Sequence, residues 1–305
     1  MRIGPGRHRR TRTLSIAAAI SLSAGAGGVY LGLSDNDAQA ASSTVTVSTT
    51  AALESAVKNA VAGTTIQVRG GTYTPAATLK STASGASSAR ITLKAYGTEK
   101  VKIDGSKLPA GSWLAGIYGS YWTVENITFQ NSPAQGFVIT SSTGGVFRNL
   151  VTAYNGDSGF TLRGDGTVGN LVQNLDSHGN HGKNADGIAI KFGSGTGNKV
   201  TGARLYDNTG DGIDLWQFSS PVTIEHNWAS GNENGFELGG GGASAAHSVN
   251  DNTASANKGA GFSFAGGKAR LARNISVGNK GGQQKPGNST VSIANSWDNE
   301  ATTER

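Results

Sequence analysis

The sequence predicts an all-β fold, a right-handed parallel β-helix (solenoid) with a short N-terminal capping helix. Its first basis is a Gly followed by an apolar residue, which recurs from residue 136 to residue 262 at intervals of 23 to 28 residues. Its second basis is a series of Asn residues that keeps nearly the same period between residues 131 and 279. Two independent markers in step indicate a repeat, and a period of this length corresponds to one turn of a solenoid.

Each period contains two or three short segments in which apolar and polar side chains alternate. Short, evenly spaced strands favour a parallel β-helix, in which every coil pairs with the coils before and after it. A leucine-rich repeat requires a lattice of Leu that this sequence lacks. The repeated Asn is predicted to fill tight bends, where it tolerates a left-handed backbone, and to bond the next Asn in a ladder. The series is Asn131, Asn155, Asn180, Asn208, Asn232, Asn257 and Asn279.

Residues 1–40 are predicted to be a secretion signal peptide. Five Arg residues precede a weakly apolar run, and Ala38-Gln39-Ala40 offers a cleavage site of small residues. An uncleaved membrane anchor is the alternative, although Gly and Ser interrupt the apolar run. We therefore expect a secreted, extracellular protein that has no membrane contact after the signal is cleaved.

The mature chain, residues 41–305, is predicted to form a single β-helix domain with regular coils over residues 122–280. Residues 51–61 place Leu53, Val57 and Val61 at helical spacing, and Thr49 or Thr50 is suited to cap this helix. The helix is expected to cover the open end of the solenoid, because a terminal coil otherwise exposes apolar core and unpaired strand edges.

Composition limits the partners and the kinds of site. Removal of residues 1–40 leaves 21 basic and 18 acidic side chains, so the formal charge falls from +6 to +3. Such a small excess does not argue for nucleic acid, and we expect no nucleic-acid partner and a monomeric protein. The chain contains no Cys, which excludes disulfides and thiolate metal sites.

Aligning the repeats on their Gly-apolar pairs brings charged residues from four coils onto one outer face. The positions directly before each Gly are Ser158, Asp186, Asp211 and Asn234. The positions two residues after each Gly are Thr161, Ala189, Asp214, Glu237 and Ser263. Two residues further along the same face lie Arg163, Lys191 and Trp216.

The acidic residues of this face predict a metal site. An Asp before Gly is, by itself, typical of a turn. Three carboxylates on two adjacent coils, Asp186, Asp211 and Asp214, repel one another and would destabilise the fold unless a cation binds between them. Oxygen ligands in flexible bends favour Ca²⁺ over a transition metal. The histidines share no register and are interpreted as surface or bend residues: His178, His181, His226 and His247.

Four segments of this region carry a recognisable pattern. They are Asn184-Ala-Asp-Gly-Ile-Ala-Ile-Lys191, Gly197-Asn-Lys-Val-Thr-Gly-Ala-Arg-Leu-Tyr-Asp-Asn208, Asp211-Gly-Ile-Asp-Leu-Trp216 and Asn234-Gly-Phe-Glu-Leu-Gly-Gly240. Together they resemble the polysaccharide lyase family nine pectate lyases, most densely from residue 156 to residue 241. The resemblance implies a parallel β-helix and Ca²⁺-dependent β-elimination. It also implies that the three Asp residues correspond to three of the four that bind Ca²⁺ in that family.

Two positions depart from the family's pattern. The residue before Asp211, an Asp in the family, is Gly210, and the family's base, a Lys, corresponds to Glu237. Three accounts therefore stay open. Lys191, which matches another Lys of the family, acts as the base; or Glu237 acts as the base or as a further Ca²⁺ ligand. In the third account the chain has lost lyase activity and binds polysaccharide without cleaving it.

The sequence thus predicts a secreted, calcium-dependent polysaccharide lyase that acts on an acidic, uronate-containing, pectate-like polysaccharide. Arg163, with Lys191, is expected to hold substrate carboxylates, and Trp216 to stack on a sugar face. One alternative is a β-helical glycoside hydrolase that uses paired carboxylates, although the Gly-His-Gly and Arg-Ile-Lys motifs of β-helical polygalacturonases are missing. The other alternative is a non-catalytic polysaccharide-binding protein.

Overall fold

A computed structural model, which describes residues 42–283 and 291–298, confirms the parallel β-helix. Among these residues, 28 strands form three sheets of 11, 9 and 8 strands, here named sheets A, B and C. Each coil contributes a strand to sheet A, then to sheet B, then to sheet C. On the outer face of each sheet, residues at equivalent positions of successive strands therefore lie one above another. Each such column contains one residue from each coil.

The strands are numbered in chain order. Sheet A consists of β1 (Ser43–Val47), β2 (Thr64–Val68), β5 (Ile91–Ala95), β8 (Trp122–Glu125), β11 (Val146–Arg148), β14 (Leu171–Gln173), β17 (Asn198–Thr201), β20 (Val222–Glu225), β23 (Ala246–Asn250), β26 (Lys268–Ala272) and β28 (Val291–Ile293). Sheet B consists of β3 (Gly71–Tyr73), β6 (Val101–Asp104), β9 (Ile127–Gln130), β12 (Val151–Ala153), β15 (Asp176–His178), β18 (Arg204–Tyr206), β21 (Trp228–Ser230), β24 (Thr253–Ser255) and β27 (Ile275–Val277). Sheet C consists of β4 (Leu79–Ser81), β7 (Ala115–Ile117), β10 (Phe137–Thr140), β13 (Phe160–Asp165), β16 (Ile188–Ser194), β19 (Ile213–Asp214), β22 (Phe236–Glu237) and β25 (Phe262–Ser263).

The predicted alignment of the coils is confirmed in sheet C. The apolar residues that follow each marker Gly pair Cα to Cα in successive coils: Phe137, Phe160, Ile188, Ile213, Phe236 and Phe262. They point into the solenoid, and each is at most 1% exposed. Coils with the same order of sheets also occur before residue 122, formed by β2 to β4 and by β5 to β7.

The capping helix α1 (Thr50–Lys58) packs against β1, β2 and β4, strands from the N-terminal end of the solenoid. Thr49 is its N-cap, and the Thr49 Oγ1 accepts a hydrogen bond of 3.2 Å from the amide of Ala52. Leu53 and Val57 join the core of the solenoid. The helix ends earlier than the predicted residue 61, because Asn59 leaves the helical conformation with φ −100° and ψ 9°.

Buried Asn side chains form a ladder along the bend between sheets B and C, as predicted. Each Nδ2 donates to the Oδ1 of the next rung at 2.8 to 3.3 Å, along Asn155, Asn180, Asn208, Asn232, Asn257 and Asn279. The prediction was wrong for Asn131, since Ser132 occupies that rung and its amide donates to Asn155 Oδ1. The left-handed backbone belongs to the residue before each rung, such as Tyr154 and Asp207, both with φ 55°. The residue before each Asn turns the chain at the bend, and the side-chain amide of the Asn therefore points into the solenoid.

A second ladder, which the sequence analysis missed, runs along the bend between sheets A and B. Asn227, Asn252, Asn274 and Asn295 bond one another through side-chain amides at 2.9 to 3.0 Å. Their spacing of 25, 22 and 21 residues was a readable signal. The two ladders satisfy the polar groups of the bends, which would otherwise be buried without partners.

The predicted signal peptide, residues 1–40, lies outside the described residues. Within the described part of the chain, no helix has the length and apolar character needed to span a membrane.

Candidate metal and catalytic site

The three Asp residues predicted to bind a metal come together at the edge of sheet C. Asp186 lies two residues before β16, Asp211 two residues before β19, and Asp214 ends β19. One carboxylate oxygen from each residue lies within 4.8 Å of one from each of the others. Asp186 and Asp214 are buried, with 1% and 7% exposure. The coil alignment therefore identified a real cluster of carboxylates in space.

Hydrogen bonds from neighbouring coils hold the carboxylates in place. Ser158 Oγ donates to Asp186 Oδ2 at 3.1 Å, and the amide of Asp211 donates to Asp186 Oδ1 at 2.9 Å. Asn234 donates to Asp211 Oδ1 from both its amide and its Nδ2, each at 2.9 Å. Ser158 and Asn234 occupy the same register column as the two Asp residues, but the sequence analysis gave them no role. They orient the carboxylate oxygens of Asp186 and Asp211.

The pKa values of all three carboxyl groups in the cluster are raised. Burial raises the pKa of Asp186 to about 6, against the opposing effect of Lys191. Burial and then repulsion from Asp186 and Asp214 raise the pKa of Asp211 to about 8. The pKa of Asp214 is also raised, chiefly by burial. Because all three ligands are carboxylates, the cluster fits a hard divalent cation such as Ca²⁺, whose charge would favour their ionised forms.

Lys191 is the counter-ion of two of these carboxylates. Its Nζ lies 2.7 Å from Asp186 Oδ2 and also forms an ion pair with Asp214 Oδ2. Burial lowers the pKa of Lys191, but the two carboxylates outweigh burial and raise it above its ordinary value. In this arrangement the ammonium form of Lys191 is therefore favoured.

Glu237 differs from Lys191 in this respect. It lies in β22, where it pairs in register with Asp214. The side chain is 8% exposed, and among the described residues its Oε1 has no hydrogen-bond partner. Burial raises the pKa of Glu237 to about 7, against the opposing effect of a hydrogen bond with Ser263. A carboxylate with a free oxygen and this pKa can exchange a proton near neutral pH.

A cleft of about 440 Å³ opens over the cluster and is lined by Asp186, Asp211, Asp214, Glu237 and Trp216, among others. Trp216 is 39% exposed, and its amide donates to Asp214 Oδ1 at 2.9 Å. Gly240 lies against the six-membered part of the indole ring, where a Cβ would clash. The glycine-rich stretch that contains Gly240 therefore supports Trp216 at the wall of the cleft.

Arg163, predicted to bind substrate, does not line this cleft. It lines a neighbouring cleft of about 180 Å³ on the N-terminal side, together with Lys191. Asn184 lines both clefts, so they are adjacent along sheet C. All seven predicted site residues thus lie on one face of the solenoid, but they are divided between two clefts.

Packing leaves no room for a side chain at position 210, where the resemblance implied a fourth Asp. A Cβ at Gly210 would lie 2.5 Å from Asp186 Oδ1 and 2.9 Å from the carbonyl carbon of Ala185. Non-bonded Cβ atoms do not approach backbone atoms this closely. In this backbone, position 210 therefore accepts no side chain unless residues 185 and 186 shift.

The interpretation of His247 as a surface or bend residue was wrong, because it is buried within β23. His247 is 1% exposed, its Nδ1 accepts a hydrogen bond of 3.2 Å from the amide of Val222, and burial lowers its pKa to about 4. His178 stacks on Tyr206, with ring centroids 4.8 Å apart.

Comparison with known proteins places the chain among its relatives. Residues 29–291 match the family model described as "Pel9A-like, right handed beta helix region". The chain belongs to this family. The predicted right-handed β-helix and the predicted resemblance to family nine pectate lyases are both confirmed.

Named relatives of this Pel9A-like chain are pectate lyases. The chain is 33% identical to pectate lyase PEL9 of Emericella nidulans, over 81% of its own length and 78% of that protein. It is 30% identical to pectate lyase L of Dickeya chrysanthemi, over 71% of its own length and 56% of that protein. It also matches the crystal structure of pectate lyase Pel9A with a TM-score of 0.67 and 23% identity, over 82% of this chain and 74% of that one. At the level of the family, the prediction of a polysaccharide lyase is confirmed.

Proposed function

We propose that this Pel9A-like protein is a secreted, calcium-dependent lyase that cleaves an acidic, uronate-containing, pectate-like polysaccharide by β-elimination. The observation that carries the proposal is the buried cluster of three carboxylates, which shares one cleft with the unpaired carboxylate of Glu237. Asp186, Asp211 and Asp214 would hold the Ca²⁺. When bound there, the ion supplies positive charge that stabilises the carbanion formed next to a substrate carboxylate.

Glu237 is assigned as the base that removes the proton from C5 of the uronate. The electron pair of the C5–H bond then forms the C4–C5 double bond, the bond from C4 to the glycosidic oxygen breaks, and water protonates the leaving oxygen. Glu237 lines the cleft, has a free oxygen, and has a pKa raised to about 7 by burial. A general base works best when its pKa lies near the working pH, because it is then available in its unprotonated form and is basic enough to take the proton. Glu237 meets this requirement near neutral pH. Lys191 does not meet it while two carboxylates hold it protonated.

The other residues of this face are assigned to binding the substrate and to balancing the charge of the carboxylate cluster. Lys191 balances the charge of Asp186 and Asp214, whose Oδ2 atoms it contacts. Trp216 offers a partly exposed ring to a sugar face. Arg163 offers its guanidinium to a substrate carboxylate in the neighbouring cleft.

Incubation of the purified protein with polygalacturonate and other uronate polymers, with and without a chelator, tests the proposal. The expected result is absorbance from an unsaturated product that disappears with chelator and returns when Ca²⁺ is added. New reducing ends without that absorbance would indicate a hydrolase instead. Binding to the polymer with neither signal would indicate a non-catalytic binding protein.

Export and oligomeric state are separate parts of the proposal. The signal peptide of residues 1–40 predicts that the mature protein appears in the culture medium, with its N-terminus near residue 41. Size-exclusion chromatography with light scattering is expected to give the mass of a monomer.

A further inference from the structure

A row of aromatic side chains runs along the outer face of sheet B and the bend that follows it. Tyr154, His178, Tyr206 and Trp228 come from four successive coils, and the centroids of neighbouring rings lie 5.2, 4.8 and 6.1 Å apart. At about 4.8 Å per coil, the row extends roughly 14 Å along the solenoid. The residues that line the two clefts on sheet C all lie outside sheet B, so the row is a separate feature of the surface.

Tyr154 occupies a backbone position that is costly for a bulky side chain. It precedes the ladder rung Asn155 and has φ 55°. A Cβ at Gly179 would lie 2.7 Å from Tyr154 Cε1, so the glycine of the next coil leaves room for the ring. Tyr154 is 54% exposed, and burial therefore does not explain an aromatic residue in this conformation. The equivalent residues at the other rungs are smaller: Asn131, Gly179, Asp207, Gly231, Ala256 and Gly278.

Trp228 forms the other end of the row. Its Nε1 donates a hydrogen bond of 3.2 Å to Ser255 Oγ of the next coil, which fixes the indole, and the residue is 38% exposed. Polar groups lie beside it, since Trp228 pairs in register with Arg204 and Thr253, and Arg204 forms an ion pair with Asp176. Exposed rings among hydrogen-bonding groups suit a ligand that combines apolar C–H faces with hydroxyls. A sugar chain has this composition.

A cleft of about 440 Å³ adjoins the N-terminal end of the row. Lys102, Thr128 and Val151 line it, and they pair in register on the successive strands β6, β9 and β12. Tyr154 directly follows β12. The cleft and the aromatic row therefore meet on the coil of β12, and together they are named the sheet B surface.

The cleft carries an excess of positive charge. Lys100 and Lys102 both line it and are exposed, and among the described residues neither forms a salt bridge. Glu99 also lines the cleft, but its carboxylate is paired with Arg69 at 2.9 Å. Two ammonium groups are thus free to bind anionic groups of a ligand that also contacts the aromatic row.

We propose that the sheet B surface is a second binding site, separate from the clefts on sheet C, and that its ligand is a chain of an acidic polysaccharide. Lys100 and Lys102 bind carboxylates of the chain, and Tyr154 and Trp228 contact the apolar faces of its sugar rings. His178 and Tyr206 stack on each other with an interplanar angle of 11°, so they hold the row together.

The site goes beyond the proposed function, because it takes no part in the chemistry. A long polymer held at the sheet B surface has other segments at a raised effective concentration near the catalytic cleft. This consequence rests on the proposed function. Replacing the surface residues is therefore expected to raise KM several-fold for long polygalacturonate and to leave KM for trigalacturonate unchanged.

Binding to immobilised polygalacturonate, measured with chelator present to prevent cleavage, tests the aromatic row. Tyr154→Asn combined with Trp228→Thr installs residue types found at the equivalent positions of neighbouring coils, and is expected to weaken binding about 10-fold. Tyr121→Asn is the matched control, since Tyr121 also has a left-handed backbone with φ 57° and also lies against a glycine of the next coil, Gly144. Thermal melting checks that both proteins are folded. Wild-type affinity in the double variant, or an equal loss in the control, would refute the site.

The lysines are tested by the dependence of binding on charge. Lys100→Gln combined with Lys102→Gln is expected to weaken binding to polygalacturonate about 5-fold at low salt and to reduce its dependence on salt. Lys94→Gln combined with Lys268→Gln, which removes the same charge from sheet A, is expected to have little effect. Equal losses in the two double variants, or equally tight binding of a neutral galactan, would overturn the assignment of an acidic ligand.

Two other occupants give different results. Single-stranded DNA that displaces polygalacturonate from the wild type at an equal concentration of charges would overturn the assignment of a polysaccharide. A dimer that forms with increasing protein concentration, and that Tyr154→Asn dissociates, would assign the surface to a second copy of the chain instead. Light scattering over a range of protein concentrations measures the second outcome.

Failure of this site can be distinguished from failure of the proposed function. If the wild type forms no unsaturated product but binds polygalacturonate in a manner that depends on Tyr154 and Trp228, the lyase assignment is wrong and the site holds. If the wild type is an active lyase and the Tyr154→Asn, Trp228→Thr variant binds the polymer like the wild type, the lyase assignment holds and the site is wrong.

Discussion

Glu237 and Lys191 face the same carboxylate cluster but differ in which protonation state their surroundings favour. Lys191 contacts two carboxylates, which stabilise its charged form. Glu237 has one oxygen without a partner, and burial stabilises its neutral form. In both cases the surroundings change the basicity of the residue they hold.

At the residue scale, Glu237→Gln is expected to lower kcat by about 100-fold or more, since a positioned base contributes at least that factor. Gln keeps the shape of the side chain and removes the proton acceptor. The formation of unsaturated product measures kcat, and Ca²⁺ titration checks that the metal site is intact. Glu233→Gln, at the rim of the same cleft, is the matched control for the lost charge. An active Glu237→Gln variant together with an inactive Lys191→Met variant would assign the base to Lys191.

The same assignment predicts the pH dependence of the rate. A base works in its unprotonated form, so kcat/KM is expected to rise with pH through the pKa of Glu237, which burial raises to about 7. The positive charge of Ca²⁺ favours the carboxylate form, so this rise is expected to shift to lower pH as Ca²⁺ is increased. A rate that increases only at the much higher pH where Lys side chains titrate would contradict Glu237 as the base.

Gly210 carries a second prediction at this scale. Gly210→Asp adds the carboxylate that the family resemblance implies at this position, but its Cβ would lie 2.5 Å from Asp186 Oδ1. We expect the variant to be less stable by about 1–3 kcal/mol and to bind Ca²⁺ no more tightly than the wild type. Urea denaturation and Ca²⁺ titration measure the two quantities, and Gly210→Ala separates the steric effect from the charge. Tighter Ca²⁺ binding at unchanged stability would show that residues 185 and 186 adjust without cost.

At the scale of structural elements, the bends between the sheets and the bulge in β16 position the side chains of the site. The Asn ladders hold successive coils in register, and the register aligns Asp214 with Glu237. The bulge in β16 interrupts this regularity beside Arg163. Regular elements therefore build the carboxylate cluster, whereas an irregular one builds the neighbouring cleft.

The ladder between sheets B and C is expected to contribute strongly to stability. Asn208 bonds Asn232 through its Nδ2 and accepts from Asn180 through its Oδ1, at a fully buried position. Asn208→Ala removes side-chain hydrogen bonds to both neighbouring rungs and leaves the buried backbone amide of Asn180 without a partner, so it is expected to lower the free energy of unfolding by about 3 kcal/mol. Asn250→Ala removes a partly exposed amide that bonds Ser248 and is expected to change it by no more than about 0.5 kcal/mol. Similar losses in the two variants would mean that the ladder adds little.

At the scale of the whole molecule, the cluster links folding to pH and Ca²⁺. Asp211 has a pKa of about 8 and Glu237 of about 7 in the folded protein, whereas the unfolded values are about 4. In the metal-free protein these groups hold protons that the unfolded chain has released. The free energy of unfolding is therefore expected to fall as pH rises from about 6.5 to about 8.5.

Thermal melting at both ends of this pH range, with chelator and with Ca²⁺, measures the effect. Ca²⁺ is expected to raise the melting temperature most at the higher pH, because it binds the ionised carboxylates of the folded state. His247, whose pKa burial lowers to about 4, opposes this trend only at the lower end of the range, because the unfolded His loses its proton around pH 6.5. Asp211→Asn is expected to reduce the pH dependence. A metal-free protein that becomes more stable towards pH 8.5 would contradict the assignment of these pKa shifts.

Much of the fold and part of the site followed from the order of the residues. The repeated Gly-apolar pair predicts the register of sheet C in each coil. That register alone brings the three Asp residues and Glu237 onto neighbouring coils of one face. The residue before each ladder rung, rather than the Asn itself, turned out to adopt the left-handed backbone. The division of the face into two clefts was not predicted.

The sequence by itself determined the coil period, the outward columns and the carboxylate cluster, because repeat length and the two-residue alternation of strands are local properties of the chain. The tertiary structure decided the remaining features. Alternation alone would turn Phe192 inward, but a bulge set by its pairing with β13 turns it outward over Arg163. The lack of room at Gly210 and the raised pKa of Glu237 depend on how closely neighbouring coils approach and exclude water. Those distances join residues far apart in sequence, so no local pattern encodes them.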